Sequence, residues 1–202
     1  MIGGLQKVTL LDYPGKVACT VFLTGCNLRC PYCHNPELVL PRNNGKPVSE
    51  NELFEFLFSR KGKLDGVCIT GGEPTLYPNL TNLVRRIREM GFLVKLDSNG
   101  TLPEMLEHLL REELLDYVAI DIKNAPSRYA EICGADVIEH IKKSAALLKT
   151  AISTMSSVQR FAIPFIRQNA WRKSGNGFEM QNGIISSRLS IPVICSAAGY
   201  QL

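Results

Sequence analysis

No stretch of about 18 consecutive apolar residues occurs in the 202-residue chain, which argues against a membrane-spanning helix. The opening residues, Met1-Ile2-Gly3-Gly4-Leu5-Gln6-Lys7, lack the basic-then-apolar build of a secretory leader. The expectation is therefore a cytoplasmic protein with no membrane association. Low-complexity tracts and collagen-like repeats are missing as well. A content of 45% apolar and 21% charged residues is that of a soluble globular chain, long enough to bury a core. Charge of one sign is scarce over most of the length, since residues 1–149 hold 18 basic and 18 acidic residues. Residues 150–202 carry the whole net +4, with Arg160, Arg167, Arg172, Lys173 and Arg188 against Glu179. A nucleic-acid partner would have to rest on that tail alone, and none is expected. Cysteine is not scarce. Seven are present, and in a cytoplasmic protein they read as thiols or metal ligands before disulfides.

From the start to about Lys149, β-type runs alternate with helix-type runs. Val17–Leu23 reads as a buried strand leading into Thr24-Gly25-Cys26. A helix should open at Ser49, where Ser49 and Glu52 have capping-box spacing ahead of Leu53, Phe54, Leu57 and Phe58. Val67–Thr70 is the next strand and ends in Gly71-Gly72. Leu80, Leu83, Val84 and Ile87 repeat at helical spacing. Phe92–Leu96 reads as a strand, Pro103 as the first residue of a helix through Leu110, and Tyr117–Ile122 as a further strand. Val137, Ile141, Ala145 and Leu148 mark the helix after it. Such alternation predicts an α/β fold with parallel strands joined by crossovers. Cys26, Gly71, Asp97 and Asp121 each follow a strand, and C-terminal strand ends gather on one face of such a sheet. Four separated motifs then belong to one site.

The first motif is Cys26-Asn27-Leu28-Arg29-Cys30-Pro31-Tyr32-Cys33, a C-x3-C-x2-C loop directly after a strand. Three thiolates in eight residues can wrap one soft metal centre and leave one coordination position open. Structural zinc wants four closed ligands, with His34 or a distant cysteine as the fourth. A four-iron cluster on three thiolates keeps one iron for an external ligand. Spacing alone leaves cluster, zinc and unrelated thiols open. Gly71-Gly72-Glu73-Pro74 lets the backbone approach a ligand closely, or is simply a turn between strand and helix. Asp97-Ser98-Asn99-Gly100-Thr101 alone would be a helix-capping turn. Asp121-Ile122-Lys123 puts opposite charges on one face of a strand end, where an ordinary surface ion pair is the plain reading. Cys19, Cys68, Cys133 and Cys195 are scattered singly and read as buried inert thiols. His108 and His140 lie on charge-rich helical segments and read as solvated.

With Tyr32 ahead of the last cysteine, the C-x3-C-x2-C loop resembles the radical S-adenosylmethionine (SAM) superfamily. The flanks, Gly4-Leu5-Gln6-Lys7-Val8-Thr9-Leu10-Leu11-Asp12-Tyr13-Pro14-Gly15-Lys16 and Phe22 through Pro36, resemble the activating proteins of anaerobic, glycyl-radical ribonucleotide reductases. The resemblance implies an open partial (β/α) barrel of radical SAM type, with Cys26, Cys30 and Cys33 holding three irons of a [4Fe–4S] cluster. It implies that Gly71, Gly72, Glu73 and Pro74 hold the methionyl amino group of SAM. Asp97, Ser98 and Asn99 would reach its ribose or carboxylate, and Asp121 and Lys123 would serve SAM or a cation. Tyr32 and His34, which flank Cys33, join the cofactor-binding set. The implied reaction takes an electron from a flavodoxin or ferredoxin-type donor. It cleaves SAM reductively and abstracts a Cα hydrogen from a glycine of the partner reductase subunit. Alternatives are another glycyl-radical activase, a small-molecule radical SAM enzyme of the deazaguanine synthase type, a zinc module, or an inactive fragment.

The tail departs from this pattern. Only 6 of residues 150–202 are charged, and strand–helix alternation fades. The resemblance calls for a strand reading roughly D-Y-E-F-R-T-T, which is absent. Residues Thr150 to Gln159 permit codons that, read two bases further along, give Ser-Asp-Ile-Asp-Tyr-Glu-Phe-Arg-Thr. The expectation is a radical SAM domain over residues 1–149 and an aberrant, frame-shifted tail over 150–202. That would truncate the barrel at its C-terminal side.

Overall fold

The computed structural model describes residues 1–40, 47–154, 160–162, 171–174 and 177–180. Its centre is a six-stranded sheet in chain order: β1 (Ile2–Thr9), β2 (Ala18–Leu23), β3 (Gly66–Gly71), β4 (Leu93–Ser98), β5 (Tyr117–Ile120) and β6 (Arg160–Ala162). β1 is antiparallel to β2, and every later neighbour is parallel. The helices are α1 (Pro36–Val39) and α2 (Glu50–Ser59) after β2, then α3 (Leu80–Glu89) and α4 (Pro103–Arg111) in the next two crossovers. α5 (Tyr129–Cys133) and α6 (Ile138–Thr154) follow β5. A separate hairpin pairs β7 (Trp171–Ser174) with β8 (Gly177–Met180). Consecutive parallel strands with helical crossovers make this the α/β fold that the alternation predicts, a sheet left open among the described residues.

Local chemistry accounts for the element starts. At α2 the capping box is complete: Glu52 N–H donates to Ser49 Oγ at 3.1 Å, and Ser49 N–H donates to Glu52 Oε2 at 2.8 Å. α3 buries Leu80, Leu83, Val84 and Ile87 on one stripe, and α4 buries Leu106, Leu109 and Leu110 behind Pro103. α6 buries Ile141, Ala145, Leu148 and Ala151, and it runs on past residue 150 to Thr154. Three tail residues then form β6, with Arg160 opposite Tyr117 and Ala162 opposite Ala119. The rest of the tail's expected aberrant character falls largely on residues outside those described.

Strand parity divides the sheet into two unlike faces. Cys19, Val21, Leu23, Val67, Ile69, Val94, Leu96, Val118 and Ile120 join the helices in one apolar core. The alternate positions, Thr20, Cys68, Lys95, Asp97, Tyr117 and Ala119, point the other way. This second face is partly polar, and it leads to the strand ends where the motifs lie. β1 has no counterpart among the sequence-based expectations. Its two glycines and Gln6-Lys7 blur any alternation, and its strand character comes from pairing with β2.

Candidate functional site

The cysteine loop leaves β2 and is fixed by backbone before any metal enters. Gly25 N–H donates to Leu38 O at 2.7 Å and Cys26 N–H to Val39 O at 3.1 Å. Leu28, 2% exposed, anchors the loop in the core. Arg29 N–H donates to Cys133 O at 2.8 Å, and Cys33 N–H closes a turn onto Cys30 O at 3.1 Å. Tyr32 Oη donates to Lys123 O at 2.6 Å, and Lys123 N–H donates to Tyr129 Oη at 3.1 Å. The segment between β5 and α6 thus clasps the loop from one side. His34 is exposed beside it.

Cys26, Cys30 and Cys33 are each half-buried, and Cys26 feels the charge of both others. Two N–H groups approach the Cys26 sulfur, Leu28 N at 3.4 Å and Asn99 Nδ2 at 3.8 Å. Burial pushes the Cys26 thiol up, against the Leu28 N–H. A hydrogen bond with Cys133, and then burial, push the Cys30 thiol up too. A soft cation is what would draw such thiols into their thiolate form. Among the described residues, no three His, Cys, Asp or Glu side chains gather as a site for a single metal ion. Three half-buried thiols on one loop, with two N–H groups on the Cys26 sulfur, are the donor types that an iron–sulfur cluster takes.

The glycine segment meets this loop at backbone contact. Gly72 N–H donates to Leu23 O at 2.8 Å and Glu73 N–H to Gly25 O at 2.7 Å. A Cβ on Gly72 would lie 2.1 Å from Gly25 O, and Gly71 sits at φ +120° with no room for one either. Glycine is therefore obligatory at both positions. Glu73 is 1% exposed and turns inward. Its Oε2 accepts from Asn99 N–H at 2.6 Å, and its Oε1 accepts from Ser98 Oγ at 2.8 Å and Thr75 N–H at 3.0 Å. Thr75 Oγ1 also bonds this carboxylate. Burial raises the Glu73 carboxyl above its usual range, and these hydrogen bonds pull it back down. Glu73 is thus spent on joining its own segment to Ser98-Asn99. Pro74 is buried beside it.

Asn99 joins three of the four motifs. Its backbone N–H holds Glu73, while its Nδ2 reaches Asn27 Oδ1 at 2.9 Å and the Cys26 sulfur. Its Oδ1 accepts from Thr101 Oγ1 at 2.7 Å, and Asn27 Nδ2 donates back to that hydroxyl at 2.8 Å. Asp121 N–H donates to Ser98 O at 2.9 Å, which brings the last motif alongside. Lys123 Nζ donates to Asp121 Oδ2 at 2.7 Å. Burial works against the Lys123 charge, but attraction to Asp121 prevails and raises the group above its usual value.

Three residues of the site have no place in the sequence-based set. Lys95 donates to Asp97 from the strand position two residues earlier. Cys68 donates to Asp97 Oδ2 at 3.4 Å. Cys133, buried as a lone thiol should be, is nevertheless hydrogen-bonded to Cys30. The i, i+2 spacing that marks Asp121 and Lys123 also holds for Lys95 and Asp97 and was available as a signal. For Cys68 and Cys133, nothing local announces their partners.

The family model of the Radical SAM superfamily matches residues 20–166. The chain belongs to the radical SAM superfamily, whose cofactors are a [4Fe–4S] cluster and SAM. Over 134 residues it is 42% identical to a protein of Methanocaldococcus jannaschii named as a glycyl-radical enzyme activating enzyme, covering 65% of this chain and 53% of that one. Over 128 residues it is 34% identical to the pyruvate formate-lyase-activating enzyme of Clostridium pasteurianum, covering 61% and 52%. The chain spans about half the length of these relatives. In fold it is similar to Streptococcus suis SuiB bound to S-adenosylmethionine, with a TM-score of 0.51 and 14% identity, covering 82% of this chain and 45% of that one. Among the described residues, no helix is long and apolar enough to cross a membrane.

Proposed function

We propose that this chain carries the cluster- and SAM-binding part of a glycyl-radical enzyme activating enzyme, with the anaerobic ribonucleotide reductase as its partner. The observation that carries the reading is the junction at Asn99, where the cysteine loop, the glycine segment and the Asp97–Asn99 strand end are tied together by direct hydrogen bonds. Cys26, Cys30 and Cys33 would hold three irons of the cluster, and Tyr32 fixes the loop's far end through Lys123 O. The fourth iron is left to the ligand. At Gly71–Pro74 the N–H groups of Gly72 and Glu73 are already bonded to Leu23 and Gly25. The carbonyls of Gly71, Glu73 and Pro74 accept from Asn35, Leu76 and Tyr77, which leaves Gly72 O for the amino group of SAM, the right polarity for an ammonium. Asp97, Ser98, Asp121 and Lys123 line the next two strand ends and serve the remaining polar groups of SAM. His34, exposed beside Cys33, belongs to the same cofactor-binding set. Cluster and SAM, once bound, supply a 5′-deoxyadenosyl radical by reductive cleavage. The chain's residues orient the ligand.

Activation of a glycyl-radical subunit is supported by relatives that share this half of their length with the chain. The ribonucleotide reductase is supported by the residues from Gly4 to Lys16 and around the cysteine loop. A flavodoxin or ferredoxin-type protein in the cytoplasm would supply the electron. The deciding experiment is anaerobic reconstitution with iron and sulfide, followed by SAM, dithionite and each of two glycyl-radical subunits, the reductase and pyruvate formate-lyase. The expected outcome is 5′-deoxyadenosine together with a glycyl-radical signal on the reductase alone. A signal on the lyase alone would reassign the partner. Zinc with no cluster would remove the reading altogether.

A further inference from the structure

The second face of the sheet holds a buried charge that the reading above does not use. Lys95 lies in the middle of β4, its side chain only 7% exposed. A lone ammonium cannot be kept there cheaply. Its partners converge from three strands. Asp97 Oδ1 accepts from Nζ, the Cys68 sulfur on β3 lies 3.7 Å from Nζ, and the Tyr117 ring on β5 has its centroid 5.6 Å away. Register explains the grouping, since Cys68 and Tyr117 are the direct cross-strand neighbours of Lys95. Cys68 in turn donates to Asp97 Oδ2 at 3.4 Å. Both carboxylate oxygens of Asp97 are therefore held from below, one by an ammonium and one by a thiol.

Asp97 also has a like charge nearby. Asp121 disfavours its ionisation, on top of the larger effect of burial. Two neighbouring carboxylates in a half-buried site tend to share a proton unless each has its own cation. Here each does: Asp121 has Lys123 at 2.7 Å, and Asp97 has Lys95. We propose that Lys95 is a positioning residue of the SAM site, a covalently attached counter-charge that holds Asp97 ionised and in one rotamer toward the ligand. This rests on the reading of Asp97 as a SAM-site residue. It adds that the site's second charge pair is built from inside the barrel wall, one layer below the ligand.

The test measures SAM affinity of the anaerobically reconstituted full chain, from the change SAM makes in the cluster's spectrum, across pH. Lys95→Met is expected to weaken SAM about tenfold or more, as loss of a charged hydrogen bond would. It should also make affinity rise with pH as Asp97 gives up its proton. Lys95→Ala should regain affinity with added methylammonium and not with choline at equal ionic strength. A merely structural lysine would give neither the pH profile nor the selective rescue. Lys95→Met within twofold of the parent, beside an Asp97→Asn variant that loses SAM, would overturn the role of Lys95 and leave that of Asp97 standing. Lys95→Met and Asp97→Asn both within twofold would remove Asp97 from the SAM site and the proposal with it. Should Lys95→Met not fold, the Ala variant decides: recovery with methylammonium supports the proposal, and its failure overturns it. The double variant Lys95→Met, Asp97→Asn, with both charges gone, provides the folding control by thermal melt.

Discussion

Glu73 and Tyr32 show how single side chains tie the segments of the site together. The Glu73 carboxylate accepts from Thr75, Ser98 and Asn99, and glutamine offers only one acceptor oxygen and adds donors facing donors. Glu73→Gln should therefore cost about 1–3 kcal/mol of stability, measured by urea unfolding of the cluster-free protein. The pH dependence has a definite sign. Burial raises this carboxyl in the folded state, so its contribution is full below the ordinary glutamate range and is lost as pH climbs through the raised value. The gap between parent and Glu73→Gln should narrow with rising pH over that window. A gap that widens would mean the carboxyl is lowered and the hydrogen bonds outweigh burial. Tyr32→Phe removes the 2.6 Å bond to Lys123 O and should cost about 1 kcal/mol in the same measurement.

At the scale of elements, starts and contacts are set by different physics. Ser49 and Glu52 cap α2 reciprocally, which is why its first residue was legible from four letters. Ser49→Ala should cost about 1 kcal/mol, read from the thermal melt with cluster loading unaffected. The contact between β3 and the cysteine loop is tighter than any side chain allows. Gly72→Ala would put a Cβ 2.1 Å from Gly25 O, backbone against backbone. The loop must move, and iron and sulfide per chain should fall while the far-UV circular dichroism stays close to that of the parent. Full iron loading of the Ala variant would show that the loop has slack. β1 and α5 escaped the sequence reading for opposite reasons. β1 is a strand by pairing despite Gly3, Gly4 and Gln6, and α5 has five residues, too few for a period.

At the scale of the whole molecule, the sheet has two unlike edges. β1 turns antiparallel and closes one side, and the Leu10 and Leu11 that follow it are 70% and 72% exposed. On the other side the last strand among the described residues is the three-residue β6. For the tail we propose a reading frame that shifts between Lys149 and Ala151. Sequencing the coding DNA there should show a frame, two bases on, that reads Ser-Asp-Ile-Asp-Tyr-Glu-Phe-Arg-Thr. A coding strand with no such frame removes the idea. If the frame is found, a chain translated in it should make more 5′-deoxyadenosine per cluster than this one, because an open edge leaves the ligand's wall incomplete.

The sequence by itself determined what depends on near neighbours. The cysteine spacing, the capped and striped helices, and the placing of each motif after a strand are all local, within the 2.0 and 3.6 periodicities. It also carried the family, through the resemblance of the cysteine loop with Tyr32 and of its flanks. Only the tertiary structure decided what depends on residues far apart in the chain. Glu73 faces Asn99 and not an open cleft, Cys133 reaches Cys30, and Lys95 meets Cys68 and Asp97 on the second face. Each of these meetings is set by which strands the crossovers make adjacent and by which side of the sheet a residue's parity assigns it.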